Sequence, residues 1–243
     1  MKITIIGYWG AYPEKGEATT GYLLQTDDYN ILIDCGSGVL ASLQEYIDLC
    51  DIDAIILSHY HSDHIADVFC YQYNTAIDFY SCKRKKPLEI YAHKNDVQFE
   101  KLNYQNFCVA KEIHEKTILN FGDLKVSFKW GKHPIPSLAM KFEKNGKKFV
   151  YSGDTEYCDG IVEISKNADA FLCECTFFNE QLGKIKGHLT TGEVGSLAEM
   201  NKIKKIILTH FPHYADLNLL KSEVAEKYYG KIEMASKGKI ITI

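Results

Sequence analysis

The chain has 243 residues, of which 46% are hydrophobic and 25% are charged, and its formal net charge is −4. These values describe an ordinary globular protein, and the acidic balance gives no electrostatic basis for general nucleic-acid binding. No apolar run is long enough for a signal peptide or a membrane span, so we expect a cytoplasmic protein that does not contact membranes. No linker or low-complexity tract divides the sequence, which predicts a single domain over residues 1–243.

Eight cysteines are present, and none of them forms a C-x-x-C pair. Their spacing is therefore poor for a zinc site built on sulfur. A reducing compartment also argues against disulfides. Most of the cysteines lie in apolar segments, and we interpret those as small buried hydrophobic residues.

The predicted elements alternate between strands and helices. In the first half we predict strands at Ile3–Ile6, Gly21–Gln25, Asn30–Asp34, Ala54–Leu57 and Leu88–Ala92, with helices at Val39–Leu49 and Ile65–Ala76. After a helical or irregular span, we predict strands at Lys125–Trp130, Leu138–Phe142, Lys148–Ser152, Ala170–Cys175, Lys205–Thr209 and Gly238–Ile243, with helices at Thr191–Met200 and Leu217–Tyr228. Asn145-Gly146 favours a hairpin turn. Both halves follow a similar order, which predicts an α/β fold, a four-layer αββα sandwich built by duplication.

A dense cluster of metal-ligand side chains follows the strand Ala54–Leu57. His59, His61, Asp63 and His64 form the pattern H-x-H-x-D-H within six residues. Neutral imidazoles and carboxylates are ligands for zinc, iron and manganese, and so dense a cluster is unfavourable without a cation. A solvated histidine-rich turn is the alternative, but the flanking strand and amphipathic helix favour a metal site.

Three further ligand-type residues lie at the ends of apolar strands. They are His133, Asp154 and His210. One such residue alone is usually a hydrogen-bonded turn residue. Together with the hexapeptide they make seven ligand-type groups, which is enough for two metal ions that share a bridging carboxylate.

Motifs along nearly the whole chain carry a family resemblance. They are Gly7-Tyr8-Trp9-Gly10-Ala11-Tyr12-Pro13, Ile33-Asp34-Cys35-Gly36, the hexapeptide, Ser152-Gly153-Asp154-Thr155, Glu174-Cys175-Thr176-Phe177, Gly187-His188-Leu189-Thr190 and Leu208-Thr209-His210. In type, order and spacing they resemble the motifs of the metallo-β-lactamase-fold hydrolases. The segments around Glu174 and His188 are not general to that fold, and they resemble its ribonuclease Z branch.

The resemblance implies a dinuclear metal centre in a single metallo-β-lactamase-like domain. One ion would be held by His59, His61 and His133, the second by Asp63, His64 and His210, with Asp154 bridging both. Zinc is the favoured metal, with manganese or iron as alternatives, because such ligand sets accept all three.

The resemblance also implies catalytic roles. Asp63 would orient or deprotonate the attacking water. His188 would donate to a phosphoryl oxygen or protonate the leaving alkoxide, and Glu174 would orient it. From the pattern alone, His188 could equally cap the helix that follows.

Other polar residues near these motifs have blander interpretations. Asp34 either braces a metal-binding imidazole or caps the turn at Gly36. We interpret His93 and His114 as surface or loop residues, and His213 as a turn residue.

The chain departs from ribonuclease Z between His133 and Asp154. That family carries an arm there that grips transfer RNA, whereas here only the hairpin Leu138–Ser152 separates the two residues. We therefore expect a phosphodiesterase that acts on a small cyclic phosphodiester, such as a cyclic nucleotide. A lactone or thioester hydrolase, an RNA-processing nuclease and a non-hydrolytic metal-binding protein stay open as alternatives. A homodimer is implied by the resemblance alone.

Overall fold

The computed structural model describes residues 1–214 and 216–243. These residues form two compact units, one of Met1–Ile113 with Ser236–Thr242 and the other of His114–Ala235 with Ile243. Each unit contains one seven-stranded mixed sheet. None of the described helices combines the length and the apolarity needed to cross a membrane.

The first unit is built on a sheet that is half antiparallel and half parallel. Its strands are β1 (Lys2–Gly7), β2 (Gly21–Gln25), β3 (Asn30–Ile33), β4 (Ala54–Ile56), β5 (Leu88–Ala92), β6 (Cys108–Glu112) and β14 (Ile240–Thr242), and its helices are α1 (Val39–Leu43), α2 (Ser62–Ile65) and α3 (Val68–Tyr80). The strand order is β14-β1-β2-β3-β4-β5-β6, antiparallel as far as β3 and parallel from there. Strand β4 is apolar and buried at every position, as is typical of a parallel strand inside a sheet.

The second unit has the same kind of sheet. Its strands are β7 (Ile118–Phe121), β8 (Leu124–Trp130), β9 (Leu138–Lys144), β10 (Lys147–Tyr151), β11 (Ala170–Glu174), β12 (Lys205–Thr209) and β13 (Lys231–Met234), and its helices are α4 (Asp159–Ile164), α5 (Thr191–Met200) and α6 (Leu217–Ala225). The order is β13-β12-β11-β10-β9-β8-β7, antiparallel from β7 to β10 and parallel from β10 to β13.

The two sheets therefore share one connectivity. Strands β1 to β6 repeat the pattern of β8 to β13, and the edge strand beside β1 comes from the end of the chain as β14. This repeat supports the duplication that the sequence predicts.

The hairpin between β9 and β10 confirms the predicted turn. Lys144 pairs with Lys147, so the loop contains only Asn145 and Gly146. Both have left-handed backbones, with φ of 52° and 72°. This is the geometry that a two-residue hairpin loop requires and that Asn-Gly tolerates best.

Two predicted helices differ from the observed ones. The helix predicted at Val39–Leu49 ends at Leu43, and a turn and a 3-10 segment follow it. The helix predicted at Ile65–Ala76 is replaced by α2 and α3, which are separated at Ala66-Asp67. The Asp67 carboxylate accepts a hydrogen bond from the Leu40 backbone at 2.9 Å, so this side chain ties the break to α1.

The span between Ala92 and Lys125 was predicted as helical or irregular, and it contains β6 and β7. Both are edge strands of their sheets, and β6 carries the exposed charged residues Lys111 and Glu112. Charged edge positions discourage association between sheets, but they also hide the alternating pattern that predicts a strand. The short elements β13 and α4 were likewise not predicted, and the other boundaries agree to within three residues.

Candidate metal centre

The first unit brings the four ligand-type residues of the hexapeptide together after β4. His61 is the N-cap of α2, so the motif runs from a strand end into the first turn of a helix. His59 and His64 are fully buried, and Asp63 is nearly so. His59 Nε2 lies 3.2 Å from His61 Nδ1, and His64 Nε2 lies 3.6 Å from Asp63 Oδ2. Such close ligand atoms favour a shared cation.

Hydrogen bonds to Asp34 fix the orientation of this cluster. It is fully buried directly after β3, and its Oδ2 accepts from His64 Nδ1 at 2.8 Å and from Ser58 Oγ at 2.7 Å. Its Oδ1 accepts from the Ser58 backbone at 2.7 Å. Ser58 Oγ in turn lies 3.0 Å from His59 Nδ1. Of the two interpretations of Asp34, the structure therefore supports the brace of an imidazole.

Backbone contacts position Asp63. The Ala11 amide, in a loop after β1, donates to Asp63 Oδ2 at 2.8 Å, and the Thr20 amide donates to the Asp63 carbonyl at 3.1 Å. Gly36 approaches the same carbonyl so closely that an added Cβ would lie 1.9 Å from its oxygen. A side chain at position 36 would push this loop away.

The second unit places its three ligand-type residues after β8, β10 and β12. Asp154 and His210 are almost completely buried, and His133 is half-buried. His210 Nε2 lies 3.2 Å from Asp154 Oδ2, and His133 and Asp154 also offer ligand atoms within 4.8 Å of each other. His210 has a φ of 59°, an unfavourable backbone for histidine of the kind often found at functional sites.

The surroundings of His133 favour a neutral imidazole with its proton on Nδ1. Its Nδ1 lies 2.7 Å from the carbonyl oxygen of Gly187, which can only accept. Burial lowers the pKa of His133 below its ordinary value, although the charge of Asp154 opposes the shift. A neutral ring with its proton on Nδ1 would bind a metal ion through Nε2.

A buried carboxylate organises the rest of this unit's cluster. Glu174 is fully buried at the end of β11, and its Oε1 accepts from His188 Nδ1 at 3.0 Å. Its Oε2 accepts from Thr176 Oγ1 at 3.0 Å, and that hydroxyl lies 2.9 Å from His210 Nδ1. The His188 ring stacks on His210 with centroids 5.2 Å apart. One carboxylate thus orients both histidines.

His188 is not the cap of α5, which was the alternative interpretation. The helix begins at Thr191, and Glu193 accepts from both the amide and the hydroxyl of Thr190 at 2.9 Å. The bond from the Thr190 amide is the one that the glutamate of a capping box accepts. Thr190, and not His188, therefore caps the helix.

Four of the histidines share one pattern of support. In each, Nδ1 faces an oxygen that can accept its proton; the four residues are His59, His64, His133 and His210. Metal-binding imidazoles are held in this way, with the second nitrogen donating to a carboxylate, carbonyl or hydroxyl. The side chains therefore suit divalent metal ions that accept nitrogen and oxygen ligands.

His93 follows β5 in a loop, in agreement with its interpretation as a surface or loop residue. Its side chain is nevertheless buried, with 1% of the residue exposed. Its carbonyl accepts from Tyr60 Oη at 2.7 Å, and the two rings meet edge to face. His114 is exposed and His213 lies in a turn, in agreement with the predictions.

Four of the eight cysteines are buried, whereas the sequence predicts that most of them are; the buried ones are Cys35, Cys108, Cys173 and Cys175. Cys70 and Cys82 are exposed. Within the chain as described, no disulfide links any pair.

Comparison with known proteins identifies the family. The family described as "Beta-lactamase superfamily domain" matches residues 29–211. The probable metallo-hydrolase YhfI of Bacillus subtilis is 36% identical over 239 residues, which cover 98% of each chain. The crystal structure of YhfI, a metallo-beta-lactamase fold protein, matches with a TM-score of 0.95 at 35% identity, covering 99% of this chain and 98% of that one.

More distant relatives fall in the same fold. Ribonuclease Z of Myxococcus xanthus is 23% identical and covers 98% of this chain and 96% of that protein. The crystal structure of a diphosphatase from the PhnP family has a TM-score of 0.76 at 17% identity, covering 100% and 97%. The predicted family and fold class are confirmed. The chain belongs to the beta-lactamase superfamily, as a metallo-hydrolase with the metallo-β-lactamase fold that is related to ribonuclease Z.

Proposed function

We propose that this protein is a phosphodiesterase that uses two divalent metal ions and hydrolyses a small cyclic phosphodiester, such as a cyclic nucleotide. The observation that carries the proposal is the contact between buried Glu174 and His188, at 3.0 Å. It holds the His188 ring beside Asp154 and His210, with His188 Nδ1 3.9 Å from Asp154 Oδ2 and the two imidazole centroids 5.2 Å apart. A phosphodiester with an alkoxide leaving group benefits from such a proton donor.

The ligand groups of the two units together make the set that a dinuclear centre needs. We assign one ion to His59, His61 and His133, the other to Asp63, His64 and His210, and Asp154 to both. Oxygens beside Nδ1 support this assignment for four of the ligands, because a proton on Nδ1 makes Nε2 the ligand atom; these are His59, His64, His133 and His210. His61 instead turns Nδ1 towards His59 Nε2. Zinc is the proposed metal, and manganese is the alternative because the same ligand types accept it.

The proposed reaction joins a water oxygen to phosphorus and breaks one ester P–O bond. When bound, the two ions would lower the pKa of water and stabilise charge on a phosphoryl oxygen. Asp63, fixed by the Ala11 amide, orients the attacking water and accepts its proton. His188 gives a proton through Nε2 to the leaving alkoxide, while Glu174 holds the ring in place.

The small substrate is proposed from the segment between His133 and Asp154. In the described structure this segment holds only β9, β10 and their two-residue turn. The hairpin leaves no insertion that could serve as the RNA-gripping arm suggested by the resemblance to ribonuclease Z. The net charge of −4 provides no basic surface in its place.

The test compares two diesters that differ in their leaving group. Purified protein is assayed with bis-p-nitrophenyl phosphate and with a 3′,5′-cyclic nucleotide in zinc and in manganese. We expect His188→Ala to lower kcat for the cyclic nucleotide by about 10²-fold or more, because its alkoxide needs a proton. The loss should be much smaller with p-nitrophenolate, which leaves without protonation. His114→Ala, which changes an exposed histidine of the same unit, is the matched control and should be silent.

Two results would overturn the proposal. One is the absence of diesterase activity with any added divalent metal, alongside measurable hydrolysis of a lactone. The other is an equal loss on both diesters in His188→Ala, which would remove the proton-donor role.

A further inference from the structure

Hydrogen bonds from two side chains hold the backbone of Gly187, the residue directly before His188. The Gly187 amide donates to Glu156 Oε1 at 3.1 Å, and the Gly187 carbonyl accepts from His133 Nδ1 at 2.7 Å. Gly187 is buried, so both of its backbone polar groups are satisfied by side chains of other loops. We call these two hydrogen bonds the Gly187 clamp.

The backbone at Gly187 has a conformation that glycine adopts more readily than any other residue. Its φ is 99°, in the left-handed region. A Cβ at this position would lie 3.0 Å from Pro134 Cδ and 3.4 Å from His133 Nδ1, so the loop packs closely against the one that carries His133. The His133 and His188 ring centroids are 5.1 Å apart. A small displacement of Gly187 therefore changes where the His188 ring lies in the site.

Glu156 is itself oriented by Lys132. The Lys132 ammonium lies 2.8 Å from Glu156 Oε2, which leaves Oε1 for the Gly187 amide. The Glu156 amide donates to the Lys132 carbonyl at 2.7 Å, and the Lys132 amide donates to Thr155 Oγ1 at 2.9 Å. These contacts join the loop after β8 to the loop after β10, and Glu156 joins both to the loop before α5.

A stabilising role alone does not explain this ion pair. The Lys132 side chain is 66% exposed, and ion pairs of exposed side chains contribute little to folding. The three loops that the pair connects carry one site residue each, namely His133, Asp154 and His188. The place of the pair in the fold therefore points to the alignment of these residues.

We infer that Glu156 is a positioning residue, which aligns His188 with the substrate by accepting the hydrogen bond from the Gly187 amide. Glu174 holds the His188 ring through Nδ1, and Glu156 holds the backbone that carries the ring. Displacement of a reacting group by about 1 Å can lower a rate about 10²-fold. The inference rests on the proposed function, because it takes His188 as the donor of the proton to the leaving alkoxide.

Hydrogen exchange followed by NMR tests the Gly187 clamp without a substrate. We expect Glu156→Ala to speed exchange of the Gly187 amide about tenfold or more, because a hydrogen bond to a charged acceptor is lost. Glu156→Gln keeps an acceptor oxygen and should exchange nearly as slowly as the wild type. Glu163→Ala is the matched control, since it removes a similar ion pair, with Lys129 at 2.9 Å, from the same unit. The control should exchange as the wild type does.

Kinetics with the two diesters test the consequence for His188. Glu156→Ala should lower kcat for the cyclic nucleotide about tenfold at nearly constant KM, because the proton donor is misplaced. Hydrolysis of bis-p-nitrophenyl phosphate should be nearly unchanged, since p-nitrophenolate leaves without a proton. Glu156→Gln should recover most of the lost rate. In a His188→Ala background, Glu156→Ala should have no further effect, because both residues serve one proton transfer.

The outcomes separate this inference from the proposed function. If His188→Ala slows the cyclic nucleotide selectively and Glu156→Ala does not, the positioning role is wrong and the proposed function stands. Unchanged exchange of the Gly187 amide in Glu156→Ala would also overturn the inference, as would equal losses on both diesters or a loss that adds to that of His188→Ala. If His188→Ala slows both diesters equally, the proposed function is wrong, and the positioning role is wrong with it.

Discussion

The replacement of Asp34 by asparagine tests how the first unit holds its imidazoles. Asp34 Oδ1 accepts from the Ser58 amide, and Oδ2 accepts from Ser58 Oγ and from His64 Nδ1. Asparagine has the same shape but only one acceptor oxygen. If that oxygen keeps the Ser58 amide, the new NH₂ group faces His64 Nδ1, where two donors now meet. His64 must then shift or move its proton to Nε2, the atom that we assign to the metal.

The expected loss follows from these contacts. Removing a partner that orients a metal-binding histidine typically lowers metal affinity about 10- to 100-fold. This corresponds to about 1.4–2.7 kcal/mol. The metal-free protein should also lose about 1–3 kcal/mol of stability, because the buried His64 N–H has lost its acceptor.

Competition with a chromophoric chelator measures the affinity of metal-stripped protein, and calorimetry measures its Tm. The control is Asp53→Asn, which changes an exposed aspartate of the same unit that also accepts from a backbone amide. The control should bind metal as tightly as the wild type. Unchanged affinity in Asp34→Asn would refute the reasoning, since the brace would then be unnecessary.

Three further predictions concern the loop at Gly36, the reactivity of the cysteines and the stability at acid pH. Gly36→Ala should destabilise the protein by about 1–3 kcal/mol and weaken metal binding, because the alanine Cβ would collide with the Asp63 carbonyl. Urea unfolding measures the stability and chelator competition measures the metal affinity. Unchanged values of both would contradict this prediction. Exposed Cys82 should react with iodoacetamide far faster than the four buried thiols, because burial raises the pKa of those thiols. Peptide mass spectrometry measures the rates, and equal rates at all five cysteines would contradict the prediction. The buried four are Cys35, Cys108, Cys173 and Cys175. The hydrogen bond from Lys144 lowers the pKa of Asp123 in the folded protein. This ion pair therefore stabilises the fold above the pKa that Asp123 has in the unfolded chain, about 3.9. The stabilisation is lost as the pH falls through the lower pKa of the folded state. In Asp123→Asn, the midpoint of urea unfolding should therefore fall slightly less steeply at acid pH than in the wild type. An unchanged pH dependence would show that the pair contributes nothing.

The ligand-type residues could be located from the sequence because their signals are local. The hexapeptide and the residues at strand ends combine ligand chemistry with apolar strands in one short window. His59 and Asp154 are examples, and the structure places each directly after a buried strand, on its own sheet. Local signals of this kind can be recognised in a sequence without knowledge of tertiary contacts.

The supporting contacts could not be predicted in the same way. The Ala11 amide that binds Asp63 belongs to the backbone, and the sequence carries no signature for it. Thr176 belongs to a recognised motif, but its link between Glu174 and His210 depends on two adjacent parallel strands. His93 looks like a surface residue by type and is buried by the tertiary contact with Tyr60. Each depends on residues that are distant in sequence.

The most direct test of a dinuclear phosphodiesterase is activity as a function of added metal. Metal-stripped protein is titrated with zinc or manganese, and hydrolysis of bis-p-nitrophenyl phosphate is followed at each step. We predict that the activity rises from near zero and reaches its plateau at two equivalents per chain. Full activity in the stripped protein, or a plateau at one equivalent, would contradict the account.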